Sequence, residues 1–403
     1  MKAHNRPDSP TGSDSNDKRI PLIILSGFLG AGKTTVLNHL LQNANGRRIA
    51  VLVNDVGEVN IDAALVKDVA QVDSGSADNV LELNNGCICC GIKEAFNEAI
   101  INLANRKPDC IIVEATGIAE PHRIISSLTT PNEEGVSVEN FVRISNLVTV
   151  IDAQWWIKKV QETYQPIRRS QLLLSDPRRP LSELLTLQVE SASVIILNKT
   201  DLADEASLKR SQSALAALTP SAEIIATQEG QIEIEQLLDN ERFNPATAFK
   251  SSRCDLEIAK EYRSTTTDQS PAAPSHDHGD FGLTVFVYRS REPISHDKLI
   301  AYLRSSIPGL LRAKGFAWTD REPDNAGFLS LAGDSLRFDY LSKWMHAQIK
   351  EGTKDRSQIP PEVWQKWDRK TGDRRQEIVF IGIDLNRQAI ESRLKSFHLS
   401  SPQ

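Results

Sequence analysis

The chain has 403 residues, 25% of them charged and 40% hydrophobic, with a formal net charge of −6. This length can bury a large core and is long for a single domain, so two domains are expected. The acidic balance gives no electrostatic footprint for nucleic acid and disfavours anionic membrane surfaces, and no apolar run approaches the roughly 20 residues of a membrane-spanning helix.

In chain order, residues 1–19 are polar and lack the apolar middle of a secretory signal, so they read as a disordered tail on a cytoplasmic protein. In a reducing compartment the five cysteines are expected to be ligands or core residues rather than disulfides. Short apolar runs at 22–25, 49–53, 110–113, 147–151 and 194–197 alternate with helical patterns such as 92–103 and 181–189. This alternation predicts an α/β unit over 20–242, a mainly parallel sheet flanked by helices. Residues 164–180 read as a surface excursion. Residues 243–280, rich in Ser, Thr, Pro and Ala, read as a flexible linker. A smaller α+β domain is expected over 281–398, opening with a strand at 283–288 and closing with a strand at 377–382 and a helix at 387–395.

Gly27-Phe28-Leu29-Gly30-Ala31-Gly32-Lys33-Thr34 reads G-x-x-x-x-G-K-T between an apolar run and a helical pattern, the setting of a phosphate-binding loop. Glycine backbone N–H groups would face the phosphates, Lys33 would place a charge near them, and the Thr34 hydroxyl could ligate Mg²⁺. Asn198-Lys199-Thr200-Asp201 follows the apolar run 194–197. A carboxylate at Asp201 can accept from the two donors on the guanine edge, which adenine lacks, so the pair of motifs favours GTP over ATP. Glu114 ends the run 110–113 and is followed by Gly117. Either Glu114 or Asp152, another acid at a strand end, could serve the Mg²⁺ shell or orient water. Asn54-Asp55-Val56-Gly57-Glu58 lies where a segment sensing the γ-phosphate would sit.

Gly86-Cys87-Ile88-Cys89-Cys90-Gly91 places three thiols in four residues. Thiolates suit Zn²⁺ and Cu(I) and accept Co²⁺, so Cys87, Cys89 and Cys90 are the expected transition-metal ligands. A fourth ligand would come from elsewhere, with Asp55, Glu58, Glu82 and His122 as candidates. A redox or structural cysteine cluster is the competing reading. Cys110 is expected to be an inert core thiol, and Cys254, in the linker, to have no role. His276 and His278 in the linker read as solvated.

Together the phosphate loop with Thr35, the stretch from Asn54 to Asp62, the Cys-x-Cys-Cys segment, Glu114-Ala115-Thr116-Gly117 and Asn198-Lys199-Thr200-Asp201 resemble the CobW-type P-loop GTPases. The second unit is similar to theirs in Lys314-Gly315-Phe316-Ala317-Trp318 and in 372–382, and looks closest to members tied to zinc limitation. The resemblance implies GTP hydrolysis to GDP coupled to delivery of a transition metal, zinc or alternatively cobalt, to a client metalloprotein. It maps nucleotide contacts to Gly27, Gly30, Ala31, Gly32, Lys33, Thr34, Thr35, Gly117, Asn198, Lys199 and Asp201. It maps catalytic roles to Lys33, Thr34 and Glu114, favouring Glu114 over Asp152, and metal ligation to Cys87, Cys89 and Cys90, with Glu58 as a further candidate. Two positions depart from the family pattern: Asp55 stands where Glu is usual, and the linker holds two histidines where many zinc-linked relatives carry a long run. The alternative readings are a regulatory GTP switch with structural cysteines and a zinc buffer with a vestigial nucleotide site.

Overall fold

The computed structural model describes residues 17–54, 80–83, 93–117, 119–131, 135–154, 156, 181–238, 242–244, 250, 252–259, 282–305, 307–333 and 335–399. Among these, seven strands form a first sheet: β1 (Ile20–Ser26), β2 (Ile49–Asn54), β3 (Val80–Leu83), β4 (Cys110–Glu114), β5 (Val142–Asp152), β6 (Val194–Asn198) and β7 (Glu223–Ala226). Their order is β3-β2-β4-β1-β5-β6-β7, and each neighbouring pair is parallel. All seven carboxyl ends therefore share one edge. After β1 the chain moves to β2 on one side and later returns to β5 on the other. This makes β1 the topological switch point, where ligands of such sheets sit.

The apolar runs are continuous because both faces of this sheet are covered. Ile23 and Leu25 of β1 enter a core with Val36, Leu37 and Leu40 of α1 (Lys33–Gln42). The alternate residues Leu22 and Ile24 enter a second core with α2 (Lys93–Asn105) and α3 (Pro121–Thr129). Among the described residues, this part of the chain also has α4 (Leu181–Ser191), α5 (Glu205–Leu218), α6 (Glu235–Leu238) and α7 (Arg253–Ala259).

The second sheet is antiparallel, in the order β11-β10-β9-β12-β8. Its strands are β8 (Leu283–Ser290), β9 (Leu310–Ala317), β10 (Asn325–Ala332), β11 (Ser335–Lys343) and β12 (Gln376–Ile383). With it are α8 (His296–Arg304), α9 (Met345–Lys350), α10 (Pro361–Trp364) and α11 (Arg387–Lys395). β12 lies between β9 and β8 and is buried along its whole length. Its alternate residues part the two faces: Ile378 and Phe380 join Leu299 of α8 and Leu394 of α11. Val379 and Ile381 instead join Leu215 of α5 and Ile195 of β6 in a core shared by both sheets.

Two described parts of the expected linker 243–280 pack on the sheets. Phe243 still packs on the first sheet, and its N–H donates to Ser145 O. α7 then carries Cys254, fully buried in the shared core, so this cysteine has a packing role where none was expected. Of the expected tail, residues 1–16 lie outside the described set. Arg19 is tied to Asp17 at 2.6 Å and donates to Glu139 O, so these two residues are held against the first unit. Residues 164–180 and 260–281, with His276 and His278, are also outside the described residues. Among the described residues no helix is long and apolar enough to cross a membrane.

Candidate functional site

The phosphate-loop residues leave β1 and enter α1 through three glycines with positive φ: Gly27 at 134°, Gly30 at 75° and Gly32 at 104°. Each φ is one that a side chain disfavours. At Gly27 and Gly32 space forbids a side chain as well: a Cβ would sit 2.3 Å from Val150 O and 2.3 Å from Asn198 Nδ2, respectively. At Gly30 a Cβ would meet nothing, so the loop is open there. Ala31 is buried. Lys33 is the first residue of α1; its Nζ folds back to donate to Phe28 O at 3.3 Å. The loop thus offers backbone N–H groups, a helix N-terminus and an ammonium at one spot, which suits phosphate.

Thr34 and Glu114 meet. Thr34 Oγ1 donates to Glu114 Oε1 at 3.0 Å, across 80 residues of sequence, because β4 lies beside β1 and ends level with the loop. Glu114 is buried. A hydroxyl and a carboxylate form a hard oxygen donor set of the kind Mg²⁺ takes. Gly117, three residues on, lies against the loop; a Cβ there would stand 2.7 Å from Leu29 N. Thr35 is exposed at the start of α1.

Asn198, Lys199 and Asp201 approach the loop from β6. Asn198 is buried, its Nδ2 donating to Ala31 O at 3.1 Å while its Oδ1 accepts from Gly230 N at 3.0 Å. Lys199, at φ 59°, turns its Nζ to Gly30 O at 2.6 Å and to Asp152 Oδ2 at 2.8 Å. Asp201 is exposed in the short turn that follows. Asp152 therefore stands with Lys199, and Glu114 with Thr34, which separates the two acids that the sequence left as alternatives.

Residues 21–226 match the family described as CobW/HypB/UreG, nucleotide-binding domain, and residues 283–398 match the cobalamin synthesis protein cobW C-terminal domain. The chain belongs to the CobW/HypB/UreG family. It is 30% identical to zinc-regulated GTPase metalloprotein activator 1 of Dictyostelium discoideum, over 96% of this chain and 81% of that protein. It is also 30% identical to the zinc chaperone CobW of a Sinorhizobium species, over 78% of this chain and 85% of that one. Among solved structures, the Zn(II)-bound YjiA GTPase from E. coli is 20% identical, with a TM-score of 0.39, covering 94% of this chain and 99% of that one.

For a CobW/HypB/UreG chain, the remaining sequence-based site residues divide in two. Asp55, Glu58, Cys87, Cys89 and Cys90 lie outside the described residues. His122, a candidate fourth ligand, is half exposed on α3, 3.3 Å from Glu120 Oε2. The described cysteines are inert: burial pushes the thiols of Cys110 and Cys254 up to about 12. The sequence reading missed Gly230 and Gln188. Gly230 has φ 69° and no room for a Cβ, which would lie 2.8 Å from Val36 N. A Glu-Gly pair after a short apolar run was its faint signal. Gln188, buried in α4, donates from Nε2 to Gly117 O and Ala119 O, each at 3.2 Å, and had no signal at all.

Proposed function

We propose that this GTPase of the CobW/HypB/UreG family is a zinc metallochaperone. It binds Zn²⁺ as cargo through Cys87, Cys89 and Cys90 and passes it to a client metalloprotein in a cycle driven by GTP. One observation carries the reading: the carboxyl ends of β1, β4, β2 and β3 share one edge. The phosphate loop leaves β1, Glu114 ends β4, the Asp55–Glu58 stretch follows β2, and the cysteine segment follows β3. At about 4.8 Å between neighbouring strands, the end of β3 lies about 14 Å from that of β1. The names of the relatives, a zinc-regulated GTPase metalloprotein activator and a zinc chaperone, support zinc over cobalt.

In this reading Gly30, Gly32 and the first turn of α1 hold the phosphates, and Lys33 swings from Phe28 O to the γ-phosphate. Thr34 and Glu114 would hold Mg²⁺, which supplies charge neutralisation on the β- and γ-phosphates. Gly117 presents its backbone N–H to the γ-phosphate, while Asn198 and Lys199 brace the loop beneath the base and Asp201 accepts from the guanine edge. A γ-phosphate that contacts the 54–58 stretch would alter the cysteine segment, so GTP and Zn²⁺ would change each other's affinity by the same factor. The test is GTP hydrolysis with Mg²⁺, with and without stoichiometric Zn²⁺ or Co²⁺, in the wild type and in Cys87→Ser/Cys89→Ser/Cys90→Ser. A metal-dependent turnover that vanishes in the triple variant supports the chaperone. Turnover indifferent to metal and cysteines favours a regulatory switch.

A further inference from the structure

α4 touches both units on opposite faces. Successive helical residues turn by about 100°, so positions two apart face nearly opposite ways and positions eight apart lie on the same side. Gln188 points into the first unit. Its two N–H donors are spent on Gly117 O and Ala119 O, each at 3.2 Å, and its backbone carbonyl accepts from Thr149 Oγ1 at 2.9 Å. Glu190, two residues on, points at the second sheet. Its carboxylate takes Arg312 of β9 as a fork, Nε at 2.7 Å and Nη2 at 3.0 Å, both partners buried. At the other end of the helix, Ser182 Oγ donates to Ala332 O of β10 at 2.9 Å. The helix is thus anchored to the second sheet at both ends and grips the carbonyls of Gly117 and Ala119 between them.

We propose that Gln188 is a positioning residue for GTP hydrolysis, and that the Glu190–Arg312 pair makes its position depend on how the second sheet is seated. The proposal rests on the reading of Glu114 and Gly117 as the γ-phosphate end. Gly117 is pressed between Leu29 N of the phosphate loop and the Gln188 amide. If the amide is lost, the 114–119 stretch is released from one side and Glu114 loses its fixed place on Thr34. At the guanine end the hydrogen bonds of Asn198 and Lys199 run to Ala31, Gly30 and Gly230, and none of these involves Gln188. A client or metal that shifts the second sheet would then reach the chemistry through α4. The shift would change turnover rather than GDP binding.

The experiment is steady-state GTP hydrolysis by the full chain, with fluorescent GDP titration as the check of an intact site. The variants are Gln188→Met, which keeps the volume and removes both donors, Gln188→Asn, which keeps the donors on a shorter arm, and Glu190→Met/Arg312→Met. In Gln188→Met, kcat should fall on the order of 10- to 100-fold, the effect of a misplacement near 1 Å, with the affinity for GDP, which lacks the γ-phosphate, unchanged. Gln188→Asn should recover part of the loss. The Glu190/Arg312 double variant should lower kcat in the same direction, and adding Gln188→Met to it should cost less than the product of the two effects. An unchanged kcat in Gln188→Met beside a lost rate in Glu114→Ala overturns the positioning role alone. Unchanged rates in both overturn the reading of the γ-phosphate end as well. A fall in GDP affinity equal to the fall in kcat, or full additivity with the double variant, also overturns the proposal.

Discussion

Gly32 has no room for a methyl group, and the nearest atom is the one that braces the loop. A Cβ there would lie 2.3 Å from Asn198 Nδ2, which donates to Ala31 O, and φ is 104°. Gly32→Ala therefore combines backbone strain of roughly 1–3 kcal/mol with the displacement of a buried amide. The Kd for a fluorescent GDP should rise about tenfold or more, and an unchanged Kd would contradict this account of the loop. The cysteines divide at the same scale. Burial raises the Cys110 and Cys254 thiols to about 12, so almost no thiolate exists near neutral pH and alkylation is expected to spare both in the native protein. Mass mapping after iodoacetamide should place the label on Cys87, Cys89 and Cys90, with Zn²⁺ suppressing it. Label on Cys110 or Cys254 at native pH would show a looser core than the one described.

At the scale of elements, three histidines of the second unit, His296, His346 and His398, are each held below their ordinary value of 6.5, chiefly by burial. Above that value neither folded nor unfolded chain holds the proton. As pH falls through 6.5 the unfolded chain takes up protons that the folded chain resists, so stability drops until the folded values are passed. Urea unfolding followed by tryptophan fluorescence should give a lower midpoint near pH 5.5 than near pH 7.5, and His296→Gln should reduce the difference. A midpoint independent of pH over that window would show that the histidines are protonated equally in both states. The elements also show what the sequence made legible. β1, β2, β4, β5 and β6 stood out because burial on both faces leaves continuous apolar runs. β3 and β7 did not, being four residues each, and α7 was hidden because its seven residues lie among polar, linker-like sequence. At the candidate site, the loop glycines and Asn198 stood out in the sequence because spacing carries their motifs, and the structure brings them together. Gln188 and Gly230 meet the loop and its neighbours through contacts between distant strands and helices, which local sequence patterns scarcely announce.

At the scale of the molecule, the two sheets share one core rather than meeting at a wet surface. Val379 and Ile381 of β12, Leu311 of β9 and Val285 of β8 pack with Leu215 of α5, Ile195 of β6 and Cys254 of α7. The buried Glu190–Arg312 pair crosses the same boundary. Removing one member of such a pair leaves an uncompensated buried charge and costs about 3–5 kcal/mol, whereas replacing both by apolar groups can be nearly neutral. Arg312→Met alone should thus be far less stable than Glu190→Met/Arg312→Met. A shared core also implies shared unfolding. Four of the six tryptophans, Trp318, Trp344, Trp364 and Trp367, lie in the second unit, while the nucleotide loop lies wholly in the first. GDP at 100 times its Kd should stabilise whatever unfolds with its site by about 2.7 kcal/mol. If the core couples the sheets, GDP raises the midpoint of the tryptophan transition although it touches none of those four residues, and calorimetry shows one endotherm moving with it. Two endotherms, with the tryptophan transition indifferent to GDP, would mean that the sheets unfold separately and that α4 transmits little between them.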